Sequence, residues 1–207
     1  MSKIENFYNS LFIIFATVNM GIIVIPILVG ILRKKNLNKP LSLFLIYLIV
    51  ILCINILEKI FIWAANTHYD ILKPYMDYLE IGNTYFIQIL AYLNNFLFLG
   101  FFYALLVSPK YKTWLKRIAI SLAVIAVINY LFYEGHKVQG VINPTLDVIF
   151  SFVLPAFYLW FMYRENLSFP IKKNPYFLIS FCLIFTNLIG FFLYVTGDYI
   201  YGEVFTL

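Results

Sequence analysis

Long apolar runs alternate with short polar connections along the whole chain. Each run holds about 20 to 25 residues, so as an α-helix, with a rise of about 1.5 Å per residue, it would cross a hydrocarbon core of about 30 Å. The pattern predicts an all-α fold, a polytopic transmembrane helical bundle with six spans that forms one domain over residues 1–207. The predicted spans are residues 11–32, 41–65, 85–107, 114–133, 144–163 and 175–196.

The first run is followed by a dense basic cluster, Arg33 to Lys35. A signal peptide carries its basic residues before the apolar run, so this run is predicted to be a retained helix. Pro26 is expected to bend it, because proline removes a backbone hydrogen bond inside a helix.

Composition supports insertion into a membrane. The chain is 63% hydrophobic and 12% charged, with a mean hydropathy of +0.87, which leaves too little polar surface to coat a soluble globule. The net charge of +5 would suggest nucleic acid as a partner in a soluble protein. Here the basic residues lie between apolar runs, where membrane orientation explains them, and nothing else in the sequence supports nucleic-acid binding. Cys53 and Cys182 lie inside apolar runs, so neither a disulfide framework nor a zinc site is indicated.

Basic residues mark alternate connections. The connections after the first, third and fifth runs hold 11 of the 15 Lys and Arg residues, whereas the others are acidic or nearly neutral. The positive-inside rule therefore predicts that these three connections are cytoplasmic, that both termini are outside, and that the protein is a multi-pass protein of the cell inner membrane. The same clusters could hold anionic lipid. They consist of Arg33, Lys34, Lys35 and Lys39, then Lys110, Lys112, Lys116 and Arg117, then Arg164, Lys172 and Lys173.

Polar side chains interrupt several spans. In the third span Gln88, Tyr92 and Asn95 follow one another at i, i+4 and i+7, so they share one stripe of the helix. Polar groups are costly in hydrocarbon and should meet one another or water, although interhelical hydrogen bonding alone could satisfy the lone amides. With the predicted orientation they gather between the outer surface and the midplane. This placement predicts an outward-facing polar cavity that binds a small ligand, with Glu58, Gln88, Asn95, Asn129, Asp147 and Asn187 as the ligand-binding residues.

Asp147 has two interpretations. It follows Pro144, at the predicted start of the fifth span, where the free N–H groups of a helix N-terminus favour an anion. Alternatively, Asp147 and Ser151 lie one turn apart, and Pro155 frees the carbonyl of Ser151 from its helical hydrogen bond. A carboxylate, a hydroxyl and a backbone oxygen on one stripe would suit a cation or a protonatable ligand group. The second interpretation pairs Asp147 with Glu58 or Gln88 across the bundle.

Catalytic motifs are missing from the sequence. It has no His-Glu-x-x-His, no paired Cys or His at ligand spacing, no Gly-rich phosphate loop and no Gly-x-Ser-x-Gly. His68 and His136 both lie in connections predicted to be external. We therefore expect a protein that is not an enzyme and that uses no metal and no cofactor.

Short motifs at the predicted span ends carry a family resemblance. They are Asn38-Lys39-Pro40 before the second span, Asn129 late in the fourth, Thr145-Leu146-Asp147 opening the fifth and Lys173-Asn174-Pro175 opening the sixth. Over about residues 26–196 the chain resembles a largely uncharacterised family of small bacterial polytopic membrane proteins. Its layout is also similar to the accessory membrane proteins encoded beside the RNA-targeting effector of type VI-B CRISPR systems. This resemblance implies a CRISPR accessory in antiviral defence that modulates interference or forms a channel.

The sequence departs from that family in one place and leaves several functions open. Asn94-Asn95 stands where an acidic residue of the third span is expected, and related chains can continue into a seventh span beyond the position of Leu207. The preferred hypothesis is a membrane accessory protein that binds a small ligand or contributes to a passage. The alternatives are a sensory or regulatory module that signals through its basic loops and, third, a membrane-embedded hydrolase. The expected partners are the lipid bilayer and either a protein partner or further copies of the chain.

Overall fold

Helices make up nearly all of the backbone that the structure describes. The computed structural model describes residues 21–78, 84–134, 141–165 and 174–204, with side chains except at 77–78 and 190–204. Within these ranges the all-α prediction is confirmed, since helices alone form the regular structure. They are α1 (Gly21–Leu32), α2 (Lys39–Thr67), α3 (Tyr69–Tyr78), α4 (Tyr85–Leu106), α5 (Pro109–Glu134), α6 (Ile142–Arg164) and α7 (Pro175–Val204), with a 3-10 turn at Lys34–Asn36.

Within the described ranges, four helices are long and apolar enough to cross a membrane: α2, α4, α5 and α6. They coincide with the second to fifth predicted spans. The first predicted span meets α1 over residues 21–32, and its residues 11–20 lie outside the described ranges. The sixth falls on α7, whose described apolar part is Pro175–Ile189.

The motifs Asn38-Lys39-Pro40 and Lys173-Asn174-Pro175 each supply an asparagine that caps a helix N-terminus. The side chain of Asn38 accepts a hydrogen bond from the backbone N–H of Leu41 at 3.2 Å, and Pro40 lies in the first turn of α2. Asn174 accepts from the N–H groups of Tyr176 and Phe177 at 2.9 and 3.3 Å, immediately before α7 begins at Pro175. Asparagine satisfies N–H groups that lack an intrahelical partner, and proline has no N–H to satisfy.

Helix boundaries differ from the predicted spans in three places. Helix α5 begins at Pro109, five residues before the predicted Trp114, because proline is well placed in a first helical turn. Helix α6 begins at Ile142, two residues before Pro144. The predicted external connection 66–84 contains α3, a helix that its polar composition and Pro74 concealed.

Two compact units divide the described chain, the first up to Asn94 and the second from Asn95 onwards. In the first unit, α2 packs against α3 and against the part of α4 that precedes Asn95. Phe61 and Phe86 meet edge to face there, with ring centroids 5.1 Å apart. Burial on α2 is sparse: Tyr47, Leu48 and Ile54 are buried, and its other side chains are half-buried or exposed.

The second unit has a dense core of aromatic and small residues. Phe96 is fully buried and meets Phe150 edge to face, with ring centroids 5.3 Å apart. Close by, Gly100 of α4 approaches α5 so tightly that an added Cβ would lie 2.5 Å from the Cβ of Ala119. Small residues let helix backbones approach each other in a membrane, and Gly100 is such a position.

Helices α4 and α5 each contain a π segment, at Asn95–Leu99 and Tyr130–Glu134. A π segment widens the helix by one residue, loosens the regular hydrogen-bond ladder and often accompanies a functional site. Both segments begin or end at a polar residue that takes part in a contact described below.

Candidate functional site

Four polar side chains of the first unit form one hydrogen-bonded group, the Glu58 cluster: Glu58, Thr84, Gln88 and Tyr92. The hydroxyl of Thr84 and the Nε2 of Gln88 donate to Oε1 of Glu58 at 2.7 and 3.0 Å. The hydroxyl of Tyr92 donates to the amide oxygen Oε1 of Gln88 at 3.5 Å. The prediction placed Glu58 and Gln88 in one site, and here they are in direct contact.

One oxygen of Glu58 takes both of those hydrogen bonds. Among the described residues its other carboxylate oxygen, Oε2, has no hydrogen-bonding partner, and Glu58 itself is partly buried. Lys59 is exposed and makes no ion pair with Glu58, because successive residues of a helix point in different directions. Thr84 was absent from the predicted site. The sequence could have predicted Thr84, because it lies four residues, one helical turn, before Gln88 on the stripe of Gln88, Tyr92 and Asn95.

The carboxylate of Asp147 is held by the side chain of Asn95 in the second unit. The Nδ2 of Asn95 lies 2.9 Å from Oδ1 and 3.1 Å from Oδ2 of Asp147, so one amide spans both carboxylate oxygens. Because the carboxylate accepts, the amide must present its NH₂ group and turn its oxygen away. That oxygen, Oδ1 of Asn95, is buried and has no hydrogen-bonding partner among the described residues.

The interpretation of Asp147 as a helix N-terminal group is wrong. Helix α6 begins at Ile142, which makes Asp147 its sixth residue, beyond the first turn where N–H groups are free. Glu134 takes that role instead. Its Oε1 accepts from the backbone N–H groups of Val141 and Ile142 at 2.7 and 2.5 Å. The sequence suggested Glu134 only as an acidic residue of an external connection.

Pro155, two turns beyond Asp147 in α6, leaves a second polar contact. Proline lacks the N–H that would bond the carbonyl of Ser151, and the Nδ2 of Asn187 on α7 donates to that carbonyl at 3.1 Å. The hydroxyl of Ser151 is buried, and among the described residues it has no hydrogen-bonding partner. Asn187 is therefore bonded to the backbone of Ser151, which lies one turn along α6 from Asp147.

The remaining predicted site residue, Asn129, stands apart from these contacts. It is buried in α5, and within the described ranges its Nδ2 has no partner and no hydrogen bond joins it to Asp147. A buried amide of α6 has a structural contact with the same helix: Asn143, which is fully buried, donates to the carbonyl of Ala126 at 3.1 Å. Asn94 likewise serves packing, since its Nδ2 lies 3.4 Å from the carbonyl of Tyr47.

The chemistry around Asp147 is that of an oxygen-rich acceptor site. Asp147 offers its carboxylate. Oδ1 of Asn95 faces away from that carboxylate, and the hydroxyl of Ser151, which can also donate, lies one turn along α6. Within the described ranges no three His, Cys, Asp or Glu residues gather as they would around a multivalent metal ion. A carboxylate in an apolar helix is a group that pairs with a cation or a protonatable partner.

Fold and site together define the class of protein. With α2, α4, α5 and α6 long and apolar enough to cross a bilayer, and with polar side chains paired inside those helices, the chain is a helical membrane protein. It matches no protein-family model, no curated protein and no solved structure.

Proposed function

We propose that this chain is a multi-pass inner-membrane protein that is not an enzyme and that binds a small cationic ligand at Asp147. The observation that carries the proposal is the contact between Asp147 and Asn95. A carboxylate inside a membrane-crossing helix is costly unless it is paired, and its partner here is a neutral amide rather than a basic residue. A bound cation would supply the missing positive charge.

The neighbouring oxygens favour the same ligand. Oδ1 of Asn95 and the hydroxyl of Ser151 are buried polar atoms without partners among the described residues. A buried acceptor without a donor is destabilising by about 1–3 kcal/mol, so a ligand that donates hydrogen bonds or coordinates oxygen would recover that loss. The π segment that begins at Asn95 supports a site at this position, because such segments frequently accompany functional sites.

Binding at Asp147 is tested with ethylammonium and with Na⁺, using protein in lipid nanodiscs. At a ligand concentration of about 100 times its Kd, the free energy of unfolding should rise by about 2.7 kcal/mol in the wild type. Asp147→Asn should lose this gain yet keep its stability without ligand, because an asparagine at 147 still accepts from Asn95. Asp70→Asn is the matched control, since it makes the same change at an exposed residue of α3. Equal stabilisation of Asp147→Asn and the wild type would refute the proposal.

The orientation is proposed from loop charge: six spans, both termini outside, and basic connections in the cytoplasm. Single cysteines are introduced after Cys53 and Cys182 have been replaced by alanine. A cysteine at Asn36 or Thr113 should be shielded from an impermeant thiol reagent in intact cells, whereas one at Asn66 should react. All three positions are exposed. The reverse labelling pattern would overturn the outward-facing placement of the site.

A role as accessory to another protein is proposed from the sequence resemblance and from the basic clusters. Arg33, Lys34 and Lys35 are exposed around the 3-10 turn that follows α1, which leaves them available to anionic lipid or to an acidic surface of a partner. The membrane accessory of an RNA-targeting defence system is the specific form of this proposal. Crosslinking in cells, followed by purification, should recover one partner with the wild type and less of it after all three residues are changed to glutamine. Unchanged recovery would assign the cluster to orientation alone.

A further inference from the structure

Basic side chains gather at the end of the second unit where α6 finishes and α5 begins. Among the described residues none of them forms an ion pair, and Glu165 is the acidic residue at this end. The end of the unit therefore keeps an excess of positive charge. These side chains, here called the basic belt, are Lys110, Lys112, Lys116, Arg117 and Arg164.

Ring contacts join the start of α5 to the end of α6. The Nζ of Lys110 lies 5.9 Å from the ring centroid of Tyr111. The ring of Tyr111 meets that of Phe161 edge to face, with centroids 6.0 Å apart. Arg164 follows Phe161 by three residues, so the two share a side of α6. Lys110 and Arg164 belong to different connections in the sequence, and the packing of α5 against α6 brings them to the same level.

Aromatic rings hold three of these cations in place. Besides Lys110 on Tyr111, the Nζ of Lys116 lies 5.3 Å from the ring centroid of Phe101 on α4. The guanidinium of Arg164 lies 5.3 Å from the ring centroid of Trp160. A ring attracts a cation through its face but leaves the N–H donors available to an anion. Because the rings already restrict these side chains, less freedom is lost when an anion binds.

Exposed aromatic residues mark the depth of the basic belt in the bilayer. Trp114 is 58% exposed and Trp160 is 47% exposed, and both lie beside the basic residues on helices of membrane-crossing length. Tryptophan concentrates where hydrocarbon meets the lipid headgroups. At that depth the anions at hand are lipid phosphates, which favours a lipid over an acidic protein or a nucleic acid.

We infer that the basic belt is a binding site for an anionic phospholipid. Its phosphate accepts hydrogen bonds from Lys110 and Arg164, and an acyl chain lies along the exposed side of α6 that Trp160 shares with Val153, seven residues earlier. The inference uses no residue of the cation site at Asp147. Either proposal can therefore fail without the other.

The test titrates the purified full chain, in a neutral detergent, with phosphatidylglycerol and with phosphatidylcholine of the same acyl chains. Native mass spectrometry gives the Kd of each lipid. A basic residue near an anionic headgroup strengthens binding by about fivefold, so the double variant Lys110→Gln and Arg164→Gln should bind phosphatidylglycerol about 30-fold more weakly. Phosphatidylcholine binding should not change, which also shows that the variant is folded. If the double variant fails to fold, Lys110→Gln alone should lose about fivefold.

Lys73→Gln is the matched control, because the Nζ of exposed Lys73 also lies over a ring, 5.6 Å from the centroid of Tyr69 on α3. Its affinity for phosphatidylglycerol should stay the same. Glu165→Gln removes the neighbouring negative charge and should strengthen binding, the reverse of the effect at Arg164.

Four results would overturn the inference. The wild type binds the two lipids equally, or the variants in the basic belt keep their affinity for phosphatidylglycerol. Lys73→Gln loses as much affinity as the double variant, which would make total charge the cause. Glycerol phosphate, which has no acyl chains, displaces phosphatidylglycerol at an equal concentration, which would make the site one for a free phosphate ester.

Discussion

Replacing Gly100 with alanine tests the closest helix contact of the second unit. The new Cβ would lie 2.5 Å from the Cβ of Ala119 and 3.3 Å from the ring of Phe150. Carbon atoms pack at about 3.5–4.0 Å, so α4 and α5 would have to separate by about 1 Å. The Cβ of Ala119 is fixed to the backbone and cannot turn aside, whereas the end of the Phe150 ring can.

Two opposing effects set the magnitude. Overpacking of a tight core costs about 1–3 kcal/mol. Glycine-to-alanine replacement inside a helix gains about 0.5–1 kcal/mol, because alanine loses less backbone entropy on folding. Overpacking is the larger effect, so the free energy of unfolding of Gly100→Ala should fall by a net amount of up to about 2.5 kcal/mol, with about 1 kcal/mol at mid-range. The free energy of unfolding of Gly21→Ala should not fall and should rise by up to about 1 kcal/mol, since no atom lies within 4 Å of its added Cβ and the backbone-entropy gain is unopposed.

The assay is unfolding by sodium dodecyl sulfate in mixed micelles, followed by tryptophan fluorescence. A second change, Ala119→Gly, removes the clashing atom, so the double variant should recover most of the stability that Gly100→Ala loses. The contact would be refuted as the cause if Gly100→Ala were as stable as Gly21→Ala. A double variant no more stable than Gly100→Ala would refute it equally.

The same assay checks three further contacts. Asn174→Ala should lower the free energy of unfolding by about 0.5–2 kcal/mol through loss of the α7 cap, while Asn174→Asp should retain it; equal losses would contradict the cap. Glu134→Ala should cost about 0.5–2 kcal/mol, and Glu134→Gln less, because a neutral amide oxygen still accepts from the N–H groups of Val141 and Ile142. Tyr103→Phe should lower the free energy of unfolding by about 1 kcal/mol. The hydroxyl of Ser180 donates to the carbonyl of Tyr176 and therefore accepts from the hydroxyl of Tyr103 at 3.0 Å. An unchanged free energy of unfolding would exclude a stabilising role for that hydrogen bond.

Much of the local structure follows from the sequence alone. Apolar run length located the four described helices that are long and apolar enough to cross a membrane, because a bilayer fixes how many apolar residues a helix needs. Asn38 and Asn174 predict helix starts, because an N-capping side chain binds a backbone N–H only two or three residues further along the chain. Pro155 likewise predicts a carbonyl without its helical hydrogen bond, because proline lacks the N–H. Gln88 and Asn95 were identified as polar groups because they interrupt an apolar span.

The partners of those polar groups were decided by tertiary structure. Asp147 meets Asn95, Glu58 meets Thr84 as well as Gln88, and the free N–H groups of α6 are bound by Glu134. Each of these pairs depends on how two helices, or the two ends of a connection, are rotated and shifted against each other, which run length and composition leave open.

The π segments also change which residues share a face of a helix. Each inserts one residue into the helical turn, which shifts the stripe positions by about 100°, and nothing in the apolar pattern marks where the insertion falls. The closeness of Gly100 to Ala119 is set in the same manner, by which faces of α4 and α5 turn toward each other. The sequence by itself therefore determined which segments are long and apolar enough to cross a membrane and which polar residues they carry. Only the packing of the helices decided which of those residues touch, because contact depends on rotation and register between segments distant in the chain.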